Sequence, residues 1–120
     1  MRFVGVNAAG LKSKLFTFKK VINELKPSVF FVEESKFREE GKFKMENYII
    51  FESVRESRDG GGLAIGCVRD SSPVLVSKGN EEVESISVEI SVRNMKIRCC
   101  VAYGLQEKGY LIKKMSFGTN

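Results

Sequence analysis

An α/β fold, with a mixed sheet and one main helix, is what the sequence predicts, and three observations carry the prediction. A segment with apolar residues at helical spacing lies between two short apolar runs. The second run, residues 29–32, is apolar at every position, and from Ser85 onward apolar and polar residues alternate. A strand that is apolar throughout is covered on both faces. A strand–helix–strand order makes the two strands parallel neighbours through a crossover. Strict alternation marks a strand with one wet face.

The first strand is the apolar run Phe3-Val4-Gly5-Val6, closed by the turn-forming Asn7-Ala8-Ala9-Gly10. The helix follows. Ser13 is placed to cap it, Leu15, Phe18, Ile22 and Leu25 form its buried stripe, and Pro27 ends it. The second strand, residues 29–32, runs directly into Glu33-Glu34-Ser35-Lys36, and the charged segment 36–47 reads as loop. Residues 48–51 and 63–68 are further strands, separated by a polar stretch ending in Asp59-Gly60-Gly61-Gly62. Ile86, Val88, Ile90 and Val92 share one face of the next strand. Met95, Ile97, Cys99, Val101 and Tyr103 continue the pattern beyond Arg93-Asn94, which predicts an antiparallel hairpin. Helical potential around residues 111–117 is the last feature, in a tail from 107 to 120 that reads as cut off.

Composition narrows the chemistry. A chain of 120 residues is the size of one domain that buries roughly two thirds of its unfolded surface. The net charge of +5 and pI near 9.2 favour polyanionic partners. The one acid-free basic stretch, Lys12, Lys14, Lys19 and Lys20, falls on the predicted helix, where a solvated face is the ordinary explanation. Cys67, Cys99 and Cys100 have no CxxC spacing and read as reduced core residues. No run approaches the ~20 apolar residues of a membrane span, and the first residues are too short an apolar run for a signal peptide. An intracellular compartment, nuclear or cytoplasmic, is expected, with no membrane partner. The sequence holds no histidine, so a serine or cysteine nucleophile has no imidazole base and an HExxH zinc site cannot form. Gly60-Gly61-Gly62 lacks the Lys-Ser/Thr of a phosphate-cradling loop and reads as a turn.

Glu34 sits where a buried strand opens into a loop, the place where ligands and hard cations gather in α/β sheets. Taken alone, such a glutamate is a metal ligand, a solvated carboxylate or a cap. Asn7, at the end of the first strand, has the same ambiguity. If the two strands are parallel neighbours, both residues emerge at one edge and converge.

Four ordered segments resemble motifs of the endonuclease/exonuclease/phosphatase superfamily. Asn7-Ala8-Ala9-Gly10-Leu11-Lys12-Ser13-Lys14 is similar to its first motif, and Val32-Glu33-Glu34-Ser35-Lys36 to its second, Leu-Gln-Glu-Thr/Ser-Lys, whose glutamate binds the catalytic metal. Gly61-Gly62-Leu63-Ala64-Ile65 resembles the Gly-Gly-Val-Ala-Ile strand, and Val101-Ala102-Tyr103-Gly104-Leu105-Gln106 the Val-Tyr-Ala-Pro-Asn/Gln strand end. The wording is most similar to the endonuclease domains of non-LTR retroelement reverse transcriptases.

The resemblance implies the amino-terminal part of a two-sheet α/β sandwich of the DNase I-like kind, a partial domain over residues 1–106. It implies Mg²⁺ or Mn²⁺ as cofactor, held by Glu34 and Asn7, and DNA as partner. Glu34 and Tyr103 are then the catalytic residues, and Asn7 and Gln106 bind substrate. The family reaction is in-line attack of water on a phosphodiester, with divalent metal stabilising the phosphorane charge and an Asp-paired histidine assisting.

Departures from the family pattern matter too. Ala9 stands where many nucleases carry Asp or Asn, Glu33 replaces glutamine and Leu105 replaces proline. The later Asp-x-Asn and Asp-His motifs do not occur in these 120 residues. The alternative is therefore a non-catalytic retroelement-derived fragment with at most weak nucleic-acid binding. An unrelated small α/β interaction module is the third reading. Without a complete second sheet, the apolar face of the hairpin is expected to stay uncovered and to drive self-association.

Overall fold

The computed structural model describes residues 1–37, 39–54, 61–79, 83–104 and 110–118; for Val83, Tyr103, Gly104 and residues 110–118 it describes the backbone. Strand β1 (Phe3–Asn7), helix α1 (Leu15–Leu25) and strands β2 (Val29–Glu33), β3 (Tyr48–Ser53) and β4 (Leu63–Val68) make the first layer pair. Their sheet is mixed, in the order β1-β2-β4-β3, with β1 parallel to β2 and the other pairs antiparallel. Strands β5 (Val74–Lys78), β6 (Val83–Val92), β7 (Met95–Gly104) and β8 (Tyr110–Gly118) form a second, antiparallel sheet in chain order. The protein is thus α/β, with two sheets and one main helix.

Helix α1 starts later than the sequence suggests. Ser13 is not its cap: the chain first makes a 3-10 turn, Lys12–Lys14, in which the Lys14 N–H donates to the Leu11 carbonyl, and Ser13 Oγ donates back to the Gly10 carbonyl. A backbone turn supplies what a capping side chain would otherwise supply. At the other end Lys26 adopts a left-handed conformation and its N–H donates to the Ile22 carbonyl, so that Pro27 follows without strain.

Each face of the mixed sheet carries its own core. On the helix side Phe18 and Ile22 meet Phe30, Val32, Tyr48 and Ala64. Phe37, Phe43 and Met45 join them from the segment read as a charged loop. That segment is irregular among its described residues, but it is not a solvated connector: Phe43 lies within 6.0 Å of the rings of Phe18, Phe30 and Phe37, the separation at which aromatic pairs attract. Gly66 makes room for this cluster, because a Cβ there would fall inside the Phe30 ring.

On the other face Val29, Phe31, Leu63, Ile65 and Cys67 pack against Ile86, Val88, Ile90, Ile97, Cys99 and Val101. Most of the hairpin face expected to be uncovered, Ile86, Val88, Ile90, Ile97, Cys99 and Val101, is therefore buried against the mixed sheet, while Met95 at its end is exposed. Arg93 and Asn94, both at positive φ, close the hairpin as a two-residue turn whose twist matches its strands. Residues 111–117, expected to incline to helix, instead lie in strand β8, which pairs with β7 antiparallel; neighbouring backbone outweighs a weak local preference. Among the described residues no helix is long and apolar enough to cross a membrane.

Candidate functional site

Strands β1 and β2 run parallel with Asn7 beside Glu33, so the segments that leave them emerge together. Hydrogen bonding continues beyond the strand ends. The N–H groups of Ala8, Gly10 and Leu11 donate to the carbonyls of Glu33, Glu34 and Ser35, each at 2.9 Å. On the far side, the Ser35 and Lys36 N–H groups donate to the Gly62 and Gly61 carbonyls at 3.1 and 2.9 Å. The Glu34 segment is thus held between two others by five backbone hydrogen bonds. It is fixed as firmly as a strand, although it has no strand conformation.

Within this edge Asn7 is exposed and its Oδ1 accepts the Ala9 N–H at 3.1 Å, one of the oxygen's two lone pairs. Glu34 is half-buried. Lys14 Nζ donates to the Ala8 carbonyl at 3.1 Å, which brings a cation to the same turn. Ala9, Glu34 and Lys36 all have φ between 45° and 59°, a region that costs a non-glycine residue roughly 1–2 kcal/mol. Gly62 allows the close approach: at φ +87° a Cβ would meet Ser35 Oγ at 2.5 Å.

Two further carboxylates close in from the space between the sheets. Glu33 continues the inward face of Val29 and Phe31 and is 1% exposed, and Glu84 continues that of Ile86 and Val88 and is 5% exposed. Glu84 Oε2 accepts the Gly62 N–H at 3.3 Å, linking the second sheet to the Glu34 edge. On the helix side of the same end, Glu52 is 7% exposed and its Oε2 accepts the Gly41 N–H at 3.0 Å. Burial pushes its carboxyl above the ordinary value of 4.5, and the Gly41 hydrogen bond offsets part of that rise.

The sequence-predicted residues fall out as follows. Asn7 and Glu34 sit on neighbouring, hydrogen-bonded segments. The backbone of Tyr103 lies directly across the ladder from Glu84, at the same end of the molecule. Gln106 is outside the described residues. Glu84 and Glu52 were not anticipated, although strand parity carries the signal: each stands two residues from an inward-facing Ile, at Ile86 and Ile50.

The donor set fits a hard divalent cation in part. Glu34 offers a carboxylate and Asn7 an amide oxygen, and magnesium is commonly held by one or two carboxylates with water filling the remaining positions. Among the described residues no three Asp, Glu, His or Cys side chains come together to hold a metal. No protein-family model matches the chain, and no curated protein matches it.

Proposed function

We propose that the chain carries the amino-terminal part of a DNase I-like, divalent-metal-dependent phosphodiesterase of the endonuclease/exonuclease/phosphatase superfamily, most similar to the endonuclease domains of non-LTR retroelement reverse transcriptases. The observation that supports it best is the meeting of Asn7 and Glu34 on one backbone-locked edge at the carboxyl end of two parallel strands, where such sheets place their ligands. Glu34 is the metal ligand and Asn7 orients metal or phosphate. Tyr103 and Gln106 face the scissile phosphate. A bound Mg²⁺ or Mn²⁺ supplies charge stabilisation for a phosphorane-like transition state.

The left-handed backbone at Ala9, Glu34 and Lys36 supports the same reading. Strain of this kind persists where the surroundings enforce it, and it clusters at functional sites. Its direct test is metal binding by the purified chain. Titration with Mn²⁺, reading free ion by electron paramagnetic resonance, is expected to find one site that Glu34→Gln abolishes. A chain that binds no Mn²⁺, or a variant that binds it equally, overturns the assignment of Glu34.

A second reading, a non-catalytic retroelement-derived chain, is favoured by the lack of any histidine and by Ala9 at a position where many nucleases carry a ligand. Loss of a general base or of preorganised charge each costs ~10²- to 10⁴-fold. No Mg²⁺-dependent nicking of supercoiled plasmid above a Glu34→Ala control is therefore expected from these 120 residues. Nicking that the control loses would restore activity to the chain itself.

A further inference from the structure

The basic stretch on α1 has a partner in space that its sequence position conceals. Helix α1 buries Phe18 and Ile22, and on the opposite, outward face Phe16, Lys19, Lys20 and Asn23 lie within about a third of a turn of one another at 100° per residue. Phe16 is 85% exposed, more than any other large apolar residue described. Beside this face runs a groove of about 490 Å³, between the helix and the segment entering β3, whose polar lining is Lys19, Asn23, Lys26, Lys44, Asn47 and one carboxylate, Glu46. Among the described residues the ion pairs within 4.0 Å join other side chains, and none engages Lys19, Lys20, Lys26 or Lys44.

Three ammonium groups in the groove, Lys19, Lys26 and Lys44, outnumber its one carboxylate, Glu46, and with Lys20 on the adjoining helix face they form a track for a polyanion. An aromatic ring standing in water on the helix face beside such a track offers a platform on which a base can stack. We infer that the outer face of α1 and the groove beside it bind single-stranded nucleic acid, the lysines following the phosphates and Phe16 stacking on a base. An anionic membrane surface suits the charges less well, because Phe16 is an isolated apolar residue on this face, whereas membrane-lying helices present a continuous apolar side. The inference does not depend on the phosphodiesterase reading, since none of these side chains belongs to the Asn7–Glu34 edge.

Fluorescence anisotropy on the full 120-residue chain tests it with two labelled 15-mers, oligo-dT and an abasic strand with the same phosphates. The wild-type chain should bind oligo-dT at least 5-fold more tightly than the abasic strand in 50 mM salt, and lose most binding to both by 200 mM. Phe16→Ala, at a position too exposed to matter for folding, should remove the preference for bases and leave abasic binding unchanged. Lys19→Glu with Lys20→Glu should weaken both strands at least 10-fold, with circular dichroism unchanged. Equal affinity for the two strands, insensitivity to Phe16→Ala, or a preference for phosphatidylserine vesicles over oligo-dT overturns the proposal.

Discussion

The two ends of the sheet sandwich contain the same backbone anomaly for different reasons. At the end where β1, β2 and β3 begin, every described non-glycine residue with positive φ has an ordinary role: Lys26 ends α1, Ser72 ends a 3-10 turn and Arg93–Asn94 make a hairpin. At the end where those strands finish, Ala9, Glu34 and Lys36 have positive φ in segments that neither reverse the chain as a hairpin nor end a helix. That end also holds the three glutamates buried among the described residues, Glu33, Glu52 and Glu84, whereas the only buried polar residue described at the other end is Ser71, which donates to the Val68 carbonyl. Stability alone would put neither strain nor buried carboxylates there. Their concentration at one end separates a structural terminus from a candidate site.

The contrast can be broken by substitution, and the largest effect is expected at Gly62. Gly62→Ala combines a disfavoured φ with a clash on Ser35 Oγ, and should cost about 3 kcal/mol in chemical denaturation. A loss under 1 kcal/mol would mean that the edge is looser than its hydrogen bonds indicate.

Next in size is the pair Glu84→Ala and Glu89→Ala. The first leaves the buried Gly62 N–H without its acceptor and should cost about 2 kcal/mol. The second removes only surface ion pairs with Lys96 and Arg98 and should change stability by less than about 0.5 kcal/mol. Equal losses would erase the distinction between a buried carboxylate and a solvated one.

Glu34→Gly reverses the sign. It relieves a left-handed glutamate and should stabilise the fold by about 1 kcal/mol, while removing the carboxylate that the metal reading needs. Lys26→Gly should stabilise similarly at the other end, with no effect on Mn²⁺ binding. A destabilised Glu34→Gly protein would show that the Glu34 side chain supports the fold.

The smallest effect concerns pH. Because burial raises the Glu52 carboxyl above 4.5, the unfolded chain releases this proton before the folded one does. Its contribution to stability is therefore favourable at low pH and is lost as pH rises from 4.5 through the folded value. Glu52→Gln, which keeps an acceptor for the Gly41 N–H, should gain on the wild type between pH 4 and pH 7. A stability difference that stays flat over that range contradicts the burial of this group.

Much of this architecture was legible before any coordinates. Residues 29–32 read as a strand covered twice, and the alternation after Ser85 as a half-wet hairpin, because burial imposes its period on the residues. What escaped was structure without a period. Strand β5 is an exposed edge with no buried side, so nothing in Val74–Lys78 had to alternate. Phe37, Phe43 and Met45 reach the core singly from an irregular segment, and their charged neighbours disguise them. Strand β8 is specified by its pairing with β7 rather than by itself. At the candidate site, Asn7 and Glu34 were legible from strand ends and from the resemblance. Glu52 and Glu84 were hidden because a carboxylate at an inward position runs against the rule that charge faces water.

The central claim is that the carboxyl end of β1 and β2 holds a divalent cation through Glu34. Mn²⁺-induced line broadening in the ¹H–¹⁵N spectrum of the labelled chain tests it most directly, because it reports position as well as binding. The account predicts broadening centred on Asn7, Ala8, Ala9 and Gly10, on Glu33, Glu34, Ser35 and Lys36, and on Gly61 and Gly62, and its loss in Glu34→Gln with the rest of the spectrum preserved. Broadening centred instead on Glu40 and Glu52, or unchanged in the variant, would contradict it.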